Sequence, residues 1–176
     1  MTERPKEIRK SGDHGSEDWE DGVDNQESAR MHLDGITKAL ADHQIDIHKA
    51  HVLEIGSGRG RFLREMHNEG IDAVAVDARP RGVEHTGLVG ARAEQLPFKD
   101  GEFDVIITQN VFDRRVYYQD FGEIVKEVER VLKNGGVFVV EGLGDGISIA
   151  DYAVKNRLRP ISSPSRAYFR ILYQKD

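Results

Sequence analysis

Five residues in the first half of the chain have types and spacings that could hold a ligand. They are Glu54, Gly56, Gly58 and Gly60 in the run Val52-Leu-Glu-Ile-Gly-Ser-Gly-Arg-Gly-Arg-Phe62, and Asp77 twenty-one residues beyond Gly56. Glycines at alternate positions remove the Cβ atoms that would keep a bound molecule from the backbone. The N–H groups at the start of a following helix favour an electron-rich ligand. An acid at the end of the next strand lies at the distance where a carboxylate accepts both ribose hydroxyls. The ligand this predicts contains a nucleoside.

Glycine spacing separates two classes of nucleoside ligand. A dinucleotide loop reads G-x-G-x-x-G. Here the third glycine comes one residue early, and the position expected for it holds Arg61. Glu54 stands two residues before the first glycine, where a carboxylate would repel a pyrophosphate and attract an ammonium or sulfonium group. A dinucleotide-linked enzyme is therefore the minor reading.

Other chemistries are thinly represented. The chain has no cysteine, which removes disulfides, thiolate metal sites and thiolate nucleophiles. The seven histidines are scattered, without the H-E-x-x-H spacing, and no metal site is expected. The Asn-Pro-Pro-Tyr type motif of amino-group nucleic-acid methylation is absent. The formal net charge is −6, against a generic nucleic-acid binder. Residues 151–176 carry six bases and two acids, read as a solvated end plus one strand.

The loop needs a strand before it and a helix after it, and the pattern supplies both. Ala50 to Ile55 is a short apolar run ended by glycines. Phe62, Leu63 and Met66 lie on one side of a helix that Gly70 stops. Further buried strands are predicted at Ala73–Val76, Leu88–Ala91, Phe103–Thr108 and Val137–Val140. Helices are predicted over Ala29–His43 and Phe121–Leu132, the second closed by Gly135-Gly136. Asp151–Leu158 reads as a short helix, Arg159–Pro164 as a turn, and Ala167–Tyr173 as a final strand, antiparallel at or near the sheet edge. Near-continuously apolar strands alternating with helices imply a parallel sheet covered on both faces. Residues 1–25 read as a flexible acidic leader, with Trp19 either a lid or exposed, and residues 26–176 as one domain. No signal peptide and no apolar run of ~20 residues is visible, so a cytoplasmic protein without membrane contact is expected.

Four segments in order resemble class I S-adenosylmethionine (SAM) dependent methyltransferases, in the small-molecule branch similar to ubiquinone and menaquinone biosynthesis enzymes (methyltransferase type 11). They read VLEIGSGRGRF, VAVDAR, ARAEQLPFKDGEFDVIITQNVF and EVERVLKNGGVFVVEG, within roughly residues 50–142. The resemblance implies an α/β fold, Rossmann-like and doubly wound: a mostly parallel sheet in a three-layer sandwich. It implies SAM as cofactor, S-adenosylhomocysteine as product and a small-molecule acceptor.

By position, it implies that Glu54 reaches the amino-acid end of SAM, that Gly56, Ser57, Gly58 and Gly60 line it, and that Asp77 holds the ribose. Ala93 and Glu94 would sit at the adenine edge, and Gln109 would approach the methionine moiety. Phe98 and Phe103 read as core. Asn110, Asp113, Arg114, Arg115, Tyr117 and Tyr118 follow the fourth strand and are the candidates to meet the acceptor. Methyl transfer needs no nucleophile, because the sulfonium is already activated and positioning supplies much of the acceleration. A general base is optional.

Two departures stand out. Family members often carry an acid where this chain has Arg92, which cannot accept a hydrogen bond from adenine. Either Glu94 substitutes or cofactor affinity is lower. The stretch after Glu141 is short, so six strands or a compressed seventh are expected, with a shallow acceptor site. That shortening keeps a second reading open: a non-catalytic methyltransferase-like subunit acting through a protein partner.

Overall fold

The computed structural model describes residues 26–80, 86–112, 121–142, 149–163 and 169–176. The elements in chain order are α1 (Gln26–Ala41), a 3-10 turn (Ile47–Lys49), β1 (His51–Ile55), α2 (Arg61–Asn68), β2 (Asp72–Asp77), β3 (Leu88–Gly90), β4 (Phe103–Gln109), α3 (Phe121–Val131), β5 (Leu132–Gly142), α4 (Ala150–Lys155), β6 (Leu158–Pro160) and β7 (Phe169–Lys175).

One seven-stranded sheet runs in the order β3-β2-β1-β4-β5-β7-β6. The first five strands of that order pair in parallel, and β7 joins β5 and β6 antiparallel. The strand order reverses between β1 and β4, where an α/β sheet opens a crevice at its carboxyl edge. Period-two alternation divides the strands between two cores. Val52, Ala75, Val105, Ile107 and Val139 face α1 and α2. Leu53, Ile55, Ile106, Phe138 and Tyr173 face α3 and α4. Helices on both faces make the sandwich three layers thick, as an α/β fold of this class requires.

Helix α1 seats Ala29, Leu33, Ile36 and Leu40 against this sheet. Those four positions repeat at three and four residues, the spacing of one helical stripe. The expected core residues Phe98 and Phe103 pack edge to face, with centroids 4.9 Å apart.

Two local readings change. Gly135 and Gly136 do not close a helix; they form an irregularity inside β5, which begins at Leu132. The register moves from Phe103↔Leu132 to Val105↔Val137, so residues 133–136 bulge out. A Cβ on Gly136 would sit 2.9 Å from the Lys133 carbonyl and 3.0 Å from that of Asp104, which is why the bulge takes glycine there. Leu158–Pro160 is an edge strand and not a turn. Proline is tolerated there because an outer strand end needs no N–H. The final strand is antiparallel and lies next to the sheet edge, as expected, with β6 outside it. The C-terminal part is therefore a compressed helix and hairpin: α4 has six residues and β6 three. Among the described residues no helix is long and apolar enough to cross a membrane.

Candidate functional site

The glycine loop lies between β1 and α2 at the carboxyl edge. Gly56, Gly58 and Gly60 have φ of 81°, 54° and 69°, the left-handed region that side chains disfavour. Gly60 is the N-cap of α2. The loop is tied to the sheet by its own backbone: the N–H groups of Gly56 and Ser57 donate to the Val76 carbonyl at 2.8 and 3.2 Å.

Asp77, at the end of β2, joins this loop directly. Gly58 N–H donates to Asp77 Oδ2 at 2.8 Å and Arg79 N–H to Oδ1 at 2.7 Å. A carboxylate has about four lone-pair sites, so these bonds leave acceptor capacity for ribose hydroxyls. The space a Cβ would fill at Gly58 is open: among the described residues no atom beyond its chain neighbours lies within 4 Å.

Glu54 is buried on β1, 3% exposed. Alternation puts it on the same face as Val52, toward α1 and α2. Gln109 ends β4 on that same face, two residues beyond Ile107. The Ser57 hydroxyl oxygen and Gln109 Nε2 are buried, and among the described residues neither finds a hydrogen-bond partner. Buried polar atoms are nearly always bonded, so such atoms at one edge mark where a polar ligand would complete them. With open space at Gly58 and an acid at Asp77, this donor and acceptor set fits a nucleoside with a polar amino-acid tail.

Ala93 and Glu94 lie in the loop after β3. Arg92 Nη2 donates to Glu94 Oε1 at 3.0 Å, so Arg92 engages the carboxylate named as its substitute at the adenine edge. The loop is held from α3, which the motifs did not reveal. Leu96 N–H donates to Glu127 Oε2 at 2.8 Å, while Arg130 donates to the Leu96 and Phe98 carbonyls. The signal was present as an acid and a base three apart on one helix, Glu127 and Arg130, which also pair with each other at 2.8 Å. The Arg130 hydrogen bond holds the Glu127 carboxyl below the ordinary carboxylate range, against the opposing effect of burial.

Asn110 follows β4 with φ of 57°, and its N–H donates to the Glu141 carbonyl at 2.8 Å. Asp113, Arg114, Arg115, Tyr117 and Tyr118 lie outside the described residues, as do residues 1–25 with Trp19. Among the described residues no three His, Asp or Glu side chains gather as metal ligands would.

A second polar group stands beside the site. Arg170 Nε donates to Glu141 Oε2 at 2.9 Å, and His32 of α1 bonds Glu141 Oε1. Burial pushes the Glu141 carboxyl up, but its bonds to His32 and Arg170 outweigh that and hold it below the ordinary range. Sequence reasoning missed these three as a group. Their only trace is a lone acid ending the apolar run Val137–Val140.

A methyltransferase domain model matches residues 53–140, half of the chain. An uncharacterised protein of Methanocaldococcus jannaschii is 35% identical over 107 residues, 58% of this chain and 48% of that protein. The chain spans at most about half the length of the first curated relatives it matches. Among solved structures, a protein of Pyrococcus horikoshii superposes with a TM-score of 0.66 at 16% identity, over 92% of this chain and 100% of that one. Geranyl diphosphate C-methyltransferase of Streptomyces coelicolor, with geranyl diphosphate and S-adenosylhomocysteine bound, superposes with a TM-score of 0.56 at 16% identity, over 86% of this chain and 84% of that one. At these identities the structures speak for the fold, and the matched sequence model speaks for the family. The chain belongs to the methyltransferase domain family, of the class I SAM-dependent type.

Proposed function

We propose that this chain transfers the methyl group of SAM to a small-molecule acceptor. The observation that carries the reading is the tie between the glycine loop and Asp77, beside two buried polar atoms, Ser57 Oγ and Gln109 Nε2, that lack partners among the described residues. In this reading Asp77 accepts from the ribose hydroxyls and the glycines let the nucleoside lie on the backbone. Glu54 and Gln109 serve the amino-acid end, and Ala93 and Glu94 border the adenine. Bound there, SAM supplies an activated methyl carbon. The residues around it need only orient the acceptor and exclude water. The acceptor would approach over the ends of β4 and β5, near Asn110. The small-molecule class is supported by the family branch and by geranyl diphosphate in the Streptomyces coelicolor structure.

Incubation with methyl-labelled SAM and a fractionated small-molecule extract tests this. Label moving into a small-molecule fraction is the expected result. Label moving only onto protein or nucleic acid would contradict the acceptor class.

A further inference from the structure

Residues 91–102, between β3 and β4, contain no helix or strand, yet the part of them assigned to the adenine is fixed at both ends. At one end Ala91 N–H donates to the Asp77 carbonyl at 3.0 Å, next to the register pair of Gly90 with Asp77. The chain therefore leaves the sheet beside the residue assigned to the ribose. At the other end Leu96 is held from α3. Its N–H donates to Glu127 Oε2 at 2.8 Å, and its carbonyl accepts from Arg130 Nη2 at 3.0 Å. Between these anchors Gln95 N–H donates to the Arg92 carbonyl at 3.1 Å. That bond closes a turn whose central residues are Ala93 and Glu94. Residues 91–96 form an arch with one foot on the end of β2 and the other on α3.

Arg130 commits every donor it has to this attachment. Its five N–H groups reach Glu127 Oε1 and Oε2, Asp100 Oδ1 and the carbonyls of Leu96 and Phe98, at 2.8 to 3.0 Å. The Arg130 side chain is 31% exposed and that of Asp100 81%, so their ion pair adds little to stability. What the guanidinium supplies is geometry, because its planar fork fixes two carbonyls against the helix as a lysine could not. Ala93 and Glu94 are only partly buried, so their places depend on the feet of the arch.

We propose that Glu127 and Arg130 are positioning residues for the adenine, holding the arch in its binding shape before SAM arrives and so setting the preference for adenine over other bases. This rests on the reading that Ala93 and Glu94 border the adenine. Adenine presents an amino donor, and the Glu94 carboxylate keeps lone pairs beyond the one that Arg92 uses. Hypoxanthine has a carbonyl in place of that amino group. Against a fixed acceptor the carbonyl finds no donor, and such a site rejects it. A loose arch must be ordered on binding, which weakens affinity, and it adapts to either base.

The test compares S-adenosylhomocysteine with S-inosylhomocysteine, which differ only in the base, by titration calorimetry on the full chain. The unmodified chain is expected to prefer the adenine compound at least about tenfold. Arg130→Ala should weaken S-adenosylhomocysteine about tenfold and the inosine compound less than about threefold. The preference then falls at least about threefold, and Glu127→Gln should shift it in the same direction. Lys175→Met is the control. Lys175 donates to the Glu129 and Leu132 carbonyls, so its loss loosens the same end of α3 without touching the arch, and the preference should stay. An unchanged preference in Arg130→Ala and Glu127→Gln, or an equal fall in Lys175→Met, overturns the proposal. Hydrogen exchange of the unliganded chain reads the arch without any cofactor. The Leu96 amide should be protected in the unmodified chain and exchange at least about tenfold faster in Arg130→Ala; a Leu96 amide already unprotected in the unmodified chain also overturns the proposal. Failure of the underlying reading looks different: the unmodified chain then gives no binding heat, or binds both compounds equally, and the proposal falls with it.

Discussion

Replacing Gly56 by alanine perturbs the loop at the point where space and backbone conformation can be separated. The residue has φ of 81°, and a Cβ there would lie 2.5 Å from Val111 Cγ2. The left-handed conformation costs a side-chain-bearing residue about 1–2 kcal/mol. Overpacking against buried Val111 costs about 1–3 kcal/mol. Reduced freedom of the unfolded chain offsets about 0.4–1 kcal/mol. The net destabilisation is about 3 kcal/mol. For a domain of this size, that lowers Tm by roughly 6–12 °C. Gly56→Ala, Val111→Ala and the double variant are compared by urea unfolding. The steric part should be recovered in the double variant as a coupling of about 1–3 kcal/mol, with the conformational part remaining. Destabilisation by Gly56→Ala under 0.5 kcal/mol, or additivity within about 0.5 kcal/mol, would refute the reasoning.

Three further outcomes are expected. Lys175→Met removes an ammonium that donates to the Glu129 and Leu132 carbonyls at 2.7 and 2.8 Å, and urea midpoints should show a loss of about 2–4 kcal/mol at unchanged m. Arg92→Asp restores an adenine acceptor and releases Glu94, so calorimetry should give about 3- to 10-fold tighter S-adenosylhomocysteine binding, whereas equal or weaker binding places the adenine elsewhere. Glu127 and Glu141 have folded pKa values below their unfolded ones. Their stabilisation is present above the unfolded carboxylate value of about 4.3 and is lost as pH falls through the folded values. Scanning calorimetry should therefore show Tm falling below about pH 4, less steeply in Glu141→Gln than in the parent.

The strands were legible because parallel strands buried on both faces leave nearly unbroken apolar runs, as in Val137–Val140 and Phe103–Thr108. The loop was legible because positive φ selects glycine at 56, 58 and 60. Short elements were not. β6 has three residues and ends in Pro160, so local propensity reads a turn, and only its pairing with β7 makes it a strand. Gly135 and Gly136 carry the same signal whether they stop a helix or shape a bulge. The bond from Gly58 N–H to Asp77 makes the acid an anchor for the loop, which spacing alone could not show. The His32–Glu141–Arg170 group was invisible for another reason. His32 and Glu141 are 109 positions apart, and no periodicity connects them.

Titration calorimetry with SAM, comparing the unmodified chain with Asp77→Ala, addresses the central claim most directly. The account predicts saturable one-site binding, weakened about 10- to 100-fold by loss of the ribose acceptor, with circular dichroism confirming that the variant stays folded. No heat of binding at millimolar SAM, or equal affinity in the two proteins, would contradict it.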